Sequence, residues 1–356
     1  MCSSDLPMGT NDDWLALTTE ETLEPDLPIC DPHHHLWDTG YEPGVAFRAE
    51  QVANRYLLDE ILADTSSGHN VVSTVFIECA SMYRSTGPEA MRPVGETEFV
   101  NGIAAMSASG QYGKTRIAAG IVGFADLNLG AAVGEVLDAH VTAGGGRFRG
   151  IRHAGAWDAS PDVRNSHTHP FEGMFADATF REGFAELDKR NMTFEGWCYH
   201  SQIPEVTDLA RAFPGVTIIL DHFGGPLGIG PYVDKRDEYL PQWRSDIAEL
   251  AKCENVHAKL GGVNMKSNGY GWHKQAKPPT SEELAAATRV FYDHCIEQFG
   301  PDRCLFESNF PVDKVSCSYN VLWNAFKRLA AGYSAAEKAQ LFHDTAARVY
   351  RLNGAD

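Results

Sequence analysis

The sequence predicts a closed (β/α)8 barrel, an α/β fold of eight parallel strands, on three observations. Eight short apolar, β-branched runs recur along the chain, most of them separated by segments long enough for a helix. Ionisable side chains stand at the end of nearly every run. No glycine-rich GxGxxG follows the first run, which weakens the alternative of an open dinucleotide-binding sheet. Short strands alternating with helices read as βαβ units, and eight of them favour closure. Such barrels run from about 250 to more than about 400 residues as one unit, a range that includes this chain of 356.

Residues 1–27 are polar and acidic and read as an N-terminal arm ahead of a single barrel domain, 28–356. The runs then fall at 27–30, 70–77, 116–123, 148–152, 192–197, 216–220, 256–260 and 304–306. Between them, segments such as 204–213, 281–287 and 321–326 space apolar residues at the helical period. Three stretches, 81–115, 224–245 and 261–280, exceed ordinary loops and are expected to carry substrate loops.

Composition narrows the class. With 43% apolar residues and a formal net charge of −18, the chain is an ordinary globular protein without the basic footprint of a nucleic-acid binder. No apolar run approaches the roughly 20 residues that span a bilayer, and the start has neither a basic nor an apolar leader region. Eight scattered cysteines with no CxxC pair read as reduced core residues of a cytoplasmic protein.

The ring of strand ends defines the candidate site. Asp31, His33 and His35 follow the first run, Glu78 the second, and Asp126 the third; Arg152 and His153 end the fourth. Tyr199 and His200 belong to the fifth, Asp221 and His222 to the sixth, Lys259 to the seventh, Glu307 and Asn309 to the eighth. A barrel gathers such ends at one mouth. His33 and His35, two apart on an extended segment, face one side. They suit a divalent metal with ligands from other strands, and His34 points away into packing. Taken alone, the pair reads equally as structural histidines; His200 and His222 on later ends favour a shared polar site. Lys259 in an apolar strand needs a charge partner. Glu78 is either a site residue or a partner for Arg152. Trp37 and Tyr199 line the pocket or pack in the core, and His167 and His169 read as solvated loop residues.

Five ordered motifs carry a family resemblance. Asp31-Pro32-His33-His34-His35-Leu36-Trp37 resembles the DxHxHxW opening of the amidohydrolase-2 family. Gly150-Ile151-Arg152-His153, Leu220-Asp221-His222-Phe223-Gly224-Gly225-Pro226, Val256-His257-Ala258-Lys259-Leu260-Gly261-Gly262 and Phe306-Glu307-Ser308-Asn309-Phe310-Pro311 resemble its later strand ends. The resemblance is strongest to the branch of sugar-lactone and 2-pyrone-4,6-dicarboxylate lactonases. It implies a metal held by His33, His35 and His200, one zinc or manganese ion, with a metal-free mechanism left open. It implies that His222 moves protons or polarises a carbonyl, and that Arg152, beside His153, grips a carboxylate.

One position departs from the family. Asn309 stands where the family has an aspartate, and an amide is no general base. Glu307, two residues earlier, is expected to activate water in its place, with Asp313 more distant. The reading is a lactonase-like hydrolase of a small carboxylate-bearing cyclic ester, forming a homo-oligomer and meeting neither nucleic acid nor membrane. The alternatives are a metal-dependent decarboxylase of an aromatic or enol acid, and a catalytically silent ligand-binding barrel.

Overall fold

The computed structural model describes residues 11–38 and 55–352; Cys2, the first ten residues of the expected arm and the last four of the expected domain lie outside them. Its eight-stranded sheet runs β1 (Pro28–His34), β2 (Asn70–Ile77), β3 (Arg116–Gly123), β4 (Phe148–Arg152), β5 (Thr193–Gly196), β6 (Ile218–Leu220), β7 (Val256–Leu260) and β8 (Cys304–Phe306). Neighbours pair in parallel and in sequence order. The circle closes beyond the last strand, where His34 bridges Phe310. There His35 N donates to the Phe310 carbonyl at 2.8 Å and Asn309 N donates to the His33 carbonyl at 2.9 Å. The seam of the barrel is therefore built by the site motifs themselves.

A helix follows each strand: α1 (Leu58–Thr65), α2 (Val94–Ala108), α3 (Val133–Ala143), α4 (Ala178–Asp188), α5 (Ile203–Ala212), α6 (Arg236–Leu250), α7 (Ser281–Phe299) and α8 (Tyr319–Leu329). Local chemistry sets their starts. Asp177 caps α4 by accepting from Thr179 N and Phe180 N, Thr280 and Glu283 form a capping box on α7, and Ser318 caps α8. Pro204 opens α5, which buries Ile203, Val206, Leu209 and Ala210 on one face.

Two of the three long stretches carry a helix in part, since 81–115 contains α2 and 224–245 runs into α6. The third, 261–280, is connection and forms part of the pocket wall. A further long connection, 153–177 between β4 and α4, was not marked by composition.

Inside the barrel, Cys30, Val75, Val122, Ile219 and Leu305 pack against Ala346, Ala347, Val349 and Tyr350 of the C-terminal segment. The described part of the arm, residues 11–27, is tied to the 261–280 connection, with Trp14 Nε1 donating to the Gln275 carbonyl at 3.0 Å and Thr18 Oγ1 to that of Pro278 at 2.7 Å. The seven described cysteines are unpaired and buried. No described helix is long and apolar enough to cross a membrane.

Candidate active site

Strand alternation sorts the three histidines. His34 turns away from its neighbours, its Nε2 2.9 Å from Thr74 Oγ1 and its ring edge-on to Phe76. His35 Nδ1 lies 2.8 Å from the Ile77 carbonyl, which only accepts, so Nδ1 carries the hydrogen and Nε2 a lone pair. His33 Nδ1 stands 2.6 Å from Glu307 Oε2, too close for two acceptors, so a hydrogen lies between them. The His33 and His35 Nε2 atoms then face one another at 3.3 Å. Burial first, then the Lys259 charge at His33 and the Arg152 charge at His35, hold both imidazoles neutral, His35 at about 3.

Glu307 is fully buried and does not line the pocket: its other oxygen lies 2.7 Å from His222 Nδ1. Between its two partners the carboxylate is occupied, and His222 is the group that reaches the pocket. Burial alone lowers the His222 imidazole, and Glu307 beside it reverses this and raises it. Two glycines make room for the pair. A Cβ on Gly261 would meet the Glu307 carbonyl oxygen at 2.2 Å, and one on Gly262 would meet His222 Nδ1 at 2.0 Å. His222 and Asn309 both hold left-handed backbone, φ 52° and 55°, a strain of about 1–3 kcal/mol each for residues other than glycine.

Asn309 Nδ2 donates to Asp313 Oδ1 at 2.9 Å, which leaves its amide oxygen as the acceptor it can offer the pocket. Arg152 Nε donates to Glu78 Oε1 at 2.7 Å and Nη2 to the Glu78 carbonyl at 2.5 Å. Its Nη1 is left 3.4 Å from His33 Nε2 and 3.7 Å from Asp221 Oδ2. Beneath this level, Lys259 Nζ pairs with Glu195 Oε2 at 2.7 Å and with Asp221 Oδ1 at 3.4 Å, while Tyr350 Oη donates to Glu195 Oε1 at 2.6 Å.

The pocket above holds about 500 Å³. Of the expected site residues, His35, Arg152, Tyr199, His222 and Asn309 line it; His33, Glu78, Lys259 and Glu307 lie behind them. The other three lie apart. His153, on the opposite face of β4 from Arg152, accepts from Leu127 N at 3.2 Å between the rings of Phe124 and Phe180. Trp37 is buried in a two-residue ribbon with Tyr56 and stacks behind His35. His200 stacks on Tyr239 at 4.1 Å, with Tyr232 edge-on at 5.0 Å. Among the described residues it joins no group of metal-ligand atoms with His33.

An amidohydrolase family model matches residues 30–352. The chain belongs to the amidohydrolase family. A Sinorhizobium fredii relative, the uncharacterised protein y4mH, is 35% identical over 337 residues, which cover 92% of this chain and 99% of that one. The L-fucono-1,5-lactonase of Burkholderia multivorans is 27% identical over 277 residues, covering 74% of this chain and 86% of its own. Among solved structures, a Burkholderia multivorans amidohydrolase with bound zinc superposes at a TM-score of 0.68 with 25% identity, covering 91% of this chain and 99% of that one.

This amidohydrolase has a donor set that fits one divalent cation. The two Nε2 lone pairs converge, and neither oxygen of the buried Asp221 is satisfied by a hydrogen bond. His33, Asp221 and His222 present ligand atoms all within 4.8 Å of one another. Asp221 is the member that the sequence placed only as a strand end.

The reading of the sequence missed the pocket's charge as well. Arg164, His167, Lys266, His273 and Lys274 line it together with Arg152, and among the described residues no carboxylate does. Lys266, His273 and Lys274 lie in the 261–280 connection that its length had flagged. His167 and Arg164 come from the unmarked one. His167 was expected in solvent, and its Nε2 instead meets Glu78 Oε2 at 3.0 Å.

Proposed function

We propose that the chain hydrolyses a small cyclic ester carrying a carboxylate. The observation that carries this reading is the His222–Glu307 pair opening onto a pocket lined by cations, in a protein whose net charge is −18. An anionic substrate is the ligand such a lining selects. The similarity to an L-fucono-1,5-lactonase supports the lactone class.

In this mechanism the substrate carboxylate is held by Arg152 and the basic lining, where the planar guanidinium suits two oxygens. Water sits between His222 Nε2 and the Asn309 amide oxygen. His222 takes a proton as the water oxygen attacks the ester carbonyl, and Glu307, already on Nδ1, stabilises the imidazolium formed. The ring C–O bond then breaks, and His222 returns its proton to the departing alkoxide. His33 and Asp221 would hold a divalent ion, with the His35 Nε2 facing that of His33, and such an ion when bound would supply a Lewis acid for the carbonyl or its water.

The test is a panel of lactones with and without a carboxylate, L-fucono-1,5-lactone included, assayed by acid release with and without added zinc or manganese. Faster turnover of the carboxylate-bearing members is the expected result. Absence of lactone turnover beside a working control enzyme, or CO2 release from an aromatic acid in its place, overturns it.

A further inference from the structure

The connection between β4 and α4 is tied down at several points. Gln202 Nε2 donates to the Gly155 carbonyl at 2.9 Å, Trp157 N donates to Gln202 Oε1 at 3.0 Å, and Tyr232 Oη donates to Asp158 Oδ2 at 2.7 Å. From this anchored segment His167 reaches back across the pocket wall to the carboxylate of Glu78, just beyond the end of β2. Glu78 is fully buried. Burial alone raises its carboxyl, and His167 and Arg152 beside it reverse this and hold it well below the ordinary range. It is therefore ionised and accepts from both: Arg152 on Oε1 at 2.7 Å, His167 Nε2–H on Oε2 at 3.0 Å.

We propose that His167 is a positioning residue that sets the Arg152 guanidinium through Glu78. The geometry is a two-step clamp. Two of the three guanidinium nitrogens are committed to Glu78, and the direction of the third, Nη1, toward His33 and Asp221 follows from how that carboxylate is turned. His167 holds the outer oxygen and so fixes the turn. Without it, a buried charged oxygen loses its donor, and the carboxylate and guanidinium rotate together. A connection outside the strands thereby sets the group that meets the substrate.

Part of the test rests on the hydrolase reading and part does not. The independent part is NMR of the Arg152 Nε–H, identified by its loss in Arg152→Lys. Its solvent exchange is expected to accelerate about tenfold or more in His167→Ala, the equivalent of one charge-assisted hydrogen bond. His167→Gln, whose amide nitrogen takes the place of Nε2, restores the wild-type rate. Unchanged exchange in His167→Ala, or no restoration by Gln, overturns the proposal. His167→Asn, too short to reach Glu78, replaces the alanine variant if that one fails to fold. On any lactone that the wild type hydrolyses, His167→Ala is expected to raise KM about tenfold with little change in kcat, and Gln to reverse it. If the wild type hydrolyses none, the hydrolase reading falls and the exchange measurement still decides the role of His167.

Discussion

His222 Nδ1 lies 2.7 Å from Glu307 Oε1, and the second oxygen of the same carboxylate lies 2.6 Å from His33 Nδ1. One buried carboxylate thus fixes the tautomers of two imidazoles on different strand ends. In the proposed mechanism the position that the eighth strand leaves without an aspartate is answered from behind, by the Glu307 carboxylate acting through His222.

Glu307→Gln tests that arrangement. An amide has one acceptor and one donor end, so it can satisfy only one of the two Nδ1–H groups. We expect kcat/KM to fall by about 10²–10⁴, mostly in kcat. His222→Asn is expected to fall at least as far, and the double variant no further than the worse single one. Steady-state kinetics on a hydrolysed lactone, beside matching melting curves, provide the check. Full activity in Glu307→Gln removes the carboxylate from the mechanism.

Gly262 gives a structural test of the same pair. Its φ of 67° and the 2.0 Å approach of His222 Nδ1 both oppose a side chain. Gly271 has the same φ of 67° with nothing within 4 Å, so it isolates the backbone cost. Gly271→Ala is expected to lose about 1 kcal/mol, and Gly262→Ala about 2–4 kcal/mol. Only Gly262→Ala is expected to lose activity as well, because His222 must move. Denaturant melts and kinetics on the two variants separate strain from displacement.

Glu96 on α2 is expected to make the fold pH-sensitive. Its Oε1 accepts from Cys79 N at 3.0 Å and Ser81 N at 2.7 Å, while Oε2 is buried without a partner. Burial first, and Glu78 second, raise its carboxyl from 4.5 to about 8. The folded state therefore binds the proton more tightly than the unfolded chain does. The stability this contributes is fully present below about 4.5 and is lost as pH rises through about 8. Glu96→Gln copies the protonated form. Its melting temperature between pH 6 and 10 is expected to fall by about a few degrees less than that of the wild type. Parallel pH profiles for the two proteins would falsify the assignment.

Much of this molecule is written locally. The eight apolar runs correspond in order to the eight strands, because a buried parallel strand needs a short, continuous apolar run wherever it occurs. The His33/His34/His35 alternation follows from the two-residue period of extended chain. Arg152 facing inward and His153 outward obeys the same rule, although the sequence does not reveal which of two adjacent polar residues takes the inside. The Gly261–Gly262 pair was legible as a motif, and its purpose, the close approach of Glu307 and His222, was not.

The amino-acid sequence by itself thus determined the barrel, the ring of strand ends and the membership of His33, His35, Arg152 and His222 in one site. Only the tertiary structure decided that Glu307 turns behind His222, that His200 packs on Tyr239, and that His167 closes on Glu78. The reason is geometric. Within a strand, periodicity dictates where a side chain points; beyond its end, direction depends on turns such as the left-handed ones at His222 and Asn309 and on the path of connections tens of residues long. Those are settled by contacts between segments distant in sequence, which no local pattern encodes.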